Sequence, residues 1–101
     1  VVWLSFSPRA GHEPAGRRLA VVLSPEAYNA KVGLVLACPV TGQVKGYPFE
    51  VAIPDNERVA GVILADQVKS LDWQARQAEW IASLPAHTVE EVLAKLGTLL
   101  S

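Results

Sequence analysis

Phe49-Glu50-Val51-Ala52-Ile53, closed by Pro54-Asp55-Asn56-Glu57, alternates large apolar side chains with positions able to face solvent. A period of two puts Phe49, Val51 and Ile53 on one face of a β-strand, and the Pro-Asp-Asn cluster ends it. The same reading extends outward in both directions. Val1–Phe6, Arg18–Ser24 and Val32–Val40 are runs rich in valine, leucine and aromatic residues, Val59–Ala65 resumes after the turn, and Arg76–Leu84 is a last strand. In that last strand Trp80, Ala82 and Leu84 share one face; a helix through Trp73–Ser83 stays open as the other reading. Ser24-Pro25-Glu26-Ala27 has the form of an N-cap, a first-turn proline and an acidic first turn, which predicts a brief helical turn before Asn29.

The end of the chain reads differently. Thr88 with Glu91 three residues on makes a capping box, and Val89, Val92, Leu93, Leu96, Leu99 and Leu100 recur at helical spacing. An amphipathic helix follows, its apolar face buried on the sheet or on a partner. Short connections favour antiparallel pairing over βαβ units, so the expected fold is mainly β: a small SH3-like antiparallel barrel with short helical turns and a C-terminal amphipathic helix.

The 101 residues suffice for one hydrophobic core and not two, which predicts a single domain over 1–101. No run approaches the roughly 20 apolar residues of a membrane span, and the first residues lack the basic flank of a secretory signal, so a soluble cytoplasmic protein is expected. Cys38, the single cysteine, lies in an apolar run and reads as a buried structural thiol. Net charge is −1, yet its distribution is uneven: residues 1–45 carry +3 and residues 46–101 carry −4. That asymmetry can focus a basic patch on one cleft of a protein that is not basic overall.

Several chemistries find no foothold. There is no Walker loop, no closely spaced cysteine pair, no HExxH and no acidic clustering for a divalent ion. His12 and His87 stand 75 positions apart, a poor basis for a two-histidine acid/base pair. What remains is a site of guanidinium, hydroxyl, ammonium and carboxylate groups. Such a set suffices for RNA, whose own 2′-hydroxyl can attack the adjacent phosphorus while the protein positions groups and stabilises charge.

Five separated segments then agree in order and spacing: Gly11-His12-Glu13-Pro14-Ala15-Gly16-Arg17-Arg18, Ala20-Val21-Val22-Leu23-Ser24-Pro25, Pro39-Val40-Thr41, Lys45-Gly46-Tyr47-Pro48-Phe49-Glu50 and Asp66-Gln67-Val68-Lys69-Ser70. Together they resemble the MazF/PemK family of toxin–antitoxin ribonucleases, and the likeness runs over nearly the full chain. It implies a CcdB/MazF-like barrel, a homodimer, and sequence-specific cleavage of single-stranded RNA without metal or cofactor. The implied products are 2′,3′-cyclic phosphate and 5′-hydroxyl ends. It further implies arrest of translation and neutralisation by a MazE-like antitoxin peptide in the RNA groove.

The resemblance implies catalytic roles for Arg18, Thr41 and Glu13. Arg18 would stabilise phosphoryl charge. Thr41 would donate its hydroxyl to a non-bridging oxygen or orient the 2′-hydroxyl. Glu13 would hold Arg18 or accept a base amino group. RNA-binding candidates are Arg17, Lys45, Tyr47, Asp66, Gln67, Arg76 and Trp3. Lys45 can meet a phosphate or a base, Tyr47 can stack on a base or pack at the barrel rim, and Asp66 reads first as a residue holding its own loop through backbone bonds. Trp3 and Trp73 are candidates for the groove wall, a dimer contact or core packing. Two readings of other classes stay open: a gyrase-directed toxin of the same fold, and a non-catalytic RNA-binding barrel.

Overall fold

The computed structural model describes residues 2–6, 18–55, 57, 59–75 and 78–100, with residues 2–6 and 18 described by backbone alone. In chain order the elements are β1 (Val2–Phe6), β2 (Arg18–Val22), α1 (Glu26–Val32), β3 (Leu34–Thr41), β4 (Glu50–Ala52), β5 (Val62–Leu64), β6 (Lys69–Asp72), β7 (Glu79–Ser83) and α2 (Ala86–Leu100). All pairings among them are antiparallel, in the order β4-β5-β3-β2-β1-β7, with β6 also on β3. The expected mainly β architecture with a closing helix is therefore present. Among the described residues the ladder does not close into a ring.

β3 organises the sheet. Its first half pairs with β6 (Leu34↔Asp72 to Ala37↔Lys69), its middle with β2 (Ala20↔Pro39 to Val22↔Ala37), and its last two residues with β5 (Val40↔Ile63, Thr41↔Val62). One strand thus joins the β2 and β6 ladders to the β5 ladder. Its middle is buried on both faces, with Val35 and Ala37 in one core cluster and Cys38 in the other, while Leu36 stays exposed. On one face Val21, Cys38, Val51, Ile53, Ile63, Ala65 and Leu84 meet Val89 and Val92 of α2; on the other, Ala20, Val22, Val35 and Ala37 pack against Leu71, Trp73 and Ala78. Each fully buried valine or isoleucine contributes about 1.5–3 kcal/mol. Trp73 takes the core-packing role, with its indole N–H donating to the Asn29 carbonyl at 3.1 Å.

Four local readings need correction. The turn after Ser24 is a seven-residue helix, and Ser24 does not cap it: Pro25 occupies the N-cap without a side-chain bond, while the Ser24 hydroxyl accepts from the Leu36 N–H at 3.0 Å and bonds the Asn29 side chain at 2.6 Å. Gly33 ends α1 in the left-handed region (φ 80°), its N–H donating to the Asn29 carbonyl. The capping box fails likewise. α2 starts at Ala86, and Thr88 sits buried in its first turn with its N–H on the Pro85 carbonyl at 3.1 Å. β6 occupies Lys69–Asp72, where the sequence reading placed no strand, and the last strand is β7, which rules out the helix through 73–83.

Val89 and Val92 are buried, whereas Leu93, Leu99 and Leu100 are exposed, so α2 covers the sheet with only part of its apolar surface. No helix among the described residues is long and apolar enough to cross a membrane.

Candidate RNA-processing site

At the junction of β3, β4 and β5 the chain leaves a cleft of about 130 Å³ lined by Thr41, Gln43, Lys45, Tyr47, Glu50, Leu64 and Gln67. Three strand ends create it. β3 ends at Thr41, and β4 begins at Glu50, which stands opposite Leu64 of β5. The segment 42–49 arches between them.

Thr41 is placed by a close backbone approach from below. Gly61 adopts φ 125°, and a Cβ there would lie 2.4 Å from the Thr41 carbonyl oxygen, so only glycine lets β5 enter at this point. The Thr41 hydroxyl oxygen accepts the Gln43 N–H at 3.1 Å. That bond uses a lone pair and leaves the hydroxyl proton able to donate into the cleft.

The arch is held by charged groups. Glu50 receives the Lys45 N–H on one carboxylate oxygen and the Gly46 N–H on the other, each at 2.9 Å, and Gly46 makes the turn with φ 79°. Tyr47 packs its ring against Phe49 at 6.4 Å between centroids and donates its hydroxyl to Asp66 at 2.5 Å. The hydrogen bond to Asp66 is the main cause that pushes the Tyr47 phenol above its ordinary 10.0, so this ring acts as a neutral donor. Asp66 holds its loop through a side chain, where backbone bonds were expected. Gln67 follows in the same turn, its N–H on the Leu64 carbonyl.

Of the residues singled out in the sequence, the structure brings Thr41, Lys45, Tyr47 and Gln67 into one cleft, with Asp66 bonded to its wall. Arg18 is described only as the first residue of β2. The antiparallel register Ala20↔Pro39 makes that end of β2 the neighbour of the Thr41 end of β3. Trp3 is a β1 backbone position paired with Val21. Glu13, Arg17, Arg76 and His12 lie outside the described residues. Sequence reasoning missed Gln43, Glu50 and Leu64 as lining residues. Glu50 left a signal: a carboxylate four and five residues after two turn amides, at a glycine able to aim both at it.

A larger hollow of about 450 Å³, lined by Val22, Leu23, Ser24, Pro25, Glu26, Asn29 and Trp80, lies elsewhere on the sheet. Two of its polar side chains, Ser24 and Asn29, are spent on each other. Volume therefore does not decide the site; convergent polar groups do. Among the described residues no three His, Cys, Asp or Glu side chains are grouped to hold a metal ion.

An antiparallel sheet backed by one C-terminal helix, with a hydroxyl, an ammonium, a phenol, amides and the Glu50 carboxylate around a small cleft, defines a small, mainly β protein with a polar cleft at its strand ends. Residues 1–100 match the family described as PemK-like, MazF-like toxin of type II toxin-antitoxin system, and the chain belongs to that family. It is 47% identical over 100 residues to the endoribonuclease toxin MazF of Escherichia coli strain K12, covering 99% of this chain and 89% of that protein. The endoribonuclease PemK of Escherichia coli is 32% identical over 105 residues, covering 99% of this chain and 79% of PemK. Among solved structures, a MazE-MazF crystal structure from Deinococcus radiodurans superimposes with a TM-score of 0.91 at 49% identity, covering 99% of this chain and 91% of that one.

Proposed function

We infer that this chain is an endoribonuclease toxin that cuts single-stranded RNA in the cytoplasm, arrests translation and is held in check by a MazE-like antitoxin. The observation that carries the reading is the Thr41–Lys45–Tyr47–Gln67 cleft in a chain that matches the family from end to end. The chain works as one domain and as a homodimer; the exposed leucines of α2 offer apolar area for such an assembly.

The 2′-hydroxyl of RNA attacks the adjacent phosphorus, the bond to the 5′-oxygen breaks, and the products are a 2′,3′-cyclic phosphate and a 5′-hydroxyl. The Arg18 guanidinium stabilises the charge that grows on the non-bridging oxygens, because its fixed pair of donors matches two phosphate oxygens. The Thr41 hydroxyl donates to the same group. Glu13 holds Arg18 or accepts from a base. Lys45, Arg17 and Arg76 supply cationic contacts to the strand, while Tyr47, Asp66, Gln67 and Trp3 contact the flanking nucleotides. No divalent ion enters this scheme.

The test is cleavage of an unstructured RNA in excess chelator, with sequencing and end-group analysis of the fragments. Cyclic-phosphate ends at a short recurring motif are expected. An absolute requirement for a divalent ion would overturn the metal-free mechanism, and no cleavage of any RNA would overturn the function.

A further inference from the structure

The arch that carries Lys45 and Tyr47 is gripped from two sides by opposite charges. On the cleft side the Glu50 carboxylate receives two successive amide N–H groups, Lys45 and Gly46, one on each oxygen at 2.9 Å. From the helix side the Lys95 ammonium, on α2, donates to the carbonyls of Pro48 at 2.8 Å and Glu50 at 3.0 Å, with Glu91 one turn before it at 3.7 Å. Amides converge on an anion and carbonyls converge on a cation. Both are charge-assisted bonds, roughly twice as strong as neutral ones.

Glu50 poses an electrostatic problem. It lines the cleft, so a negative charge faces the path of a polyanion. By Coulomb's law alone that carboxylate weakens RNA binding. A carboxylate in this place makes sense when what it holds matters more than what it repels. Two amides aimed at one anion form a small nest, which fixes the peptide planes on both sides of Lys45 and with them the point from which its side chain leaves. Lys95 fixes the other end of the arch to α2, whose own seat is set by the burial of Val89 and Val92.

We propose that Glu50 and Lys95 are positioning residues for RNA recognition: together they lock the 45–50 arch so that Lys45 and Tyr47 meet the strand preorganised, and neither touches the reacting atoms. The proposal rests on the endoribonuclease reading above.

Its test exploits a difference of sign. Glu50→Gln removes the negative charge but keeps the shape, and a glutamine can offer only one acceptor oxygen where two amides need one each. If Glu50 were only a repelling anion, or only a plug in a nest meant for phosphate, Glu50→Gln would bind RNA more tightly. If it positions the arch, KM and the Kd for a 2′-O-methyl copy of the cleaved RNA rise, about tenfold for one charge-assisted interaction of about 1.5 kcal/mol, while kcat falls much less. Lys95→Met keeps the aliphatic stem on the helix and leaves β4 unaltered; it should raise KM in the same way, with Lys95→Arg restoring most of the loss. The amide proton resonances of Lys45 and Gly46 should shift upfield in Glu50→Gln and also move in Lys95→Met, a readout independent of cleavage. In the double variant the losses should be less than additive, since one arch is lost only once.

Tighter or unchanged RNA binding by Glu50→Gln, or a fall in kcat with unchanged KM in proportion to lost folded protein, overturns the proposal. So does a Lys95→Met protein whose Lys45 and Gly46 amides stay where they were. A wild-type protein that cleaves no RNA would overturn the function itself, and the amide shifts would still report whether the two charges hold the arch.

Discussion

Thr41 shows how its neighbours make a single side chain a candidate for the chemistry. Alone, a threonine after a strand is structural; here the Gln43 N–H takes one lone pair, Gly61 sets the backbone beneath, and the start of β2 lies beside it. Arg18→Ala and Thr41→Ala should each lower kcat by about 100-fold with unchanged thermal melting, since one preorganised donor to a charged transition state accounts for roughly 3 kcal/mol. Near-wild-type turnover in either folded variant removes that residue from the chemistry. Two glycines make a sharper contrast. Around Gly46 a Cβ meets nothing within 4 Å, so Gly46→Ala incurs only the left-handed conformation, about 1–2 kcal/mol. At Gly61 the added carbon strikes the Thr41 carbonyl, so Gly61→Ala should lose about 3 kcal/mol or more in urea unfolding and displace Thr41 as well. Equal midpoints for the two variants would refute the close-approach argument. Thr41, Lys45 and Tyr47 were legible because motif order brought them forward. Glu50 was not, because alternation explained it as the solvent-facing member of a strand, and only folding shows that its carboxylate turns back on its own arch.

Elements with strong periodicity were legible; those made by pairing were not. β4 and α2 announce themselves through periods of two and about 3.6, whereas Lys69-Ser70-Leu71-Asp72 holds one apolar side chain and becomes β6 only because β3 offers it a partner edge. The N-cap signals at Ser24 and Thr88 misled for one reason. A hydroxyl beside a helix can serve another strand, as Ser24 serves Leu36, or sink into the core, as Thr88 does. Within β3, Cys38 fits its reading as a buried thiol: burial, with the Asp66 charge adding to it, pushes the thiol up to about 11 from 9.0. A thiol that ionises later in the fold than in the unfolded chain leaves stability untouched below pH 9 and erodes it as pH climbs from 9 toward about 11. Native protein should therefore resist iodoacetamide at pH 8 and react at once in denaturant. Rapid native labelling at pH 8 would place Cys38 in an open, reactive setting.

At the scale of the molecule, the distribution of charge along the chain says more than its sum. The chain is nearly neutral, yet its first 45 residues carry +3, and that portion includes Arg17, Arg18 and Lys45. A polyanion and an acidic, extended peptide would be steered to the same cleft by the same field. The antitoxin peptide should therefore compete with RNA, not act from a distant surface. In a titration, cleavage should fall as an acidic antitoxin segment is added, and excess 2′-O-methyl RNA should displace a labelled copy of that segment. Both affinities should weaken with added salt, RNA the more steeply because each phosphate contact releases a condensed counterion. Lys45→Ala should lower the RNA salt slope by about one contact and weaken the peptide too. Shared occupancy demands mutual exclusion: if RNA and peptide bind together without loss of affinity for either, the sites are separate, and the partition of charge along the chain would then have to be read as surface solvation alone.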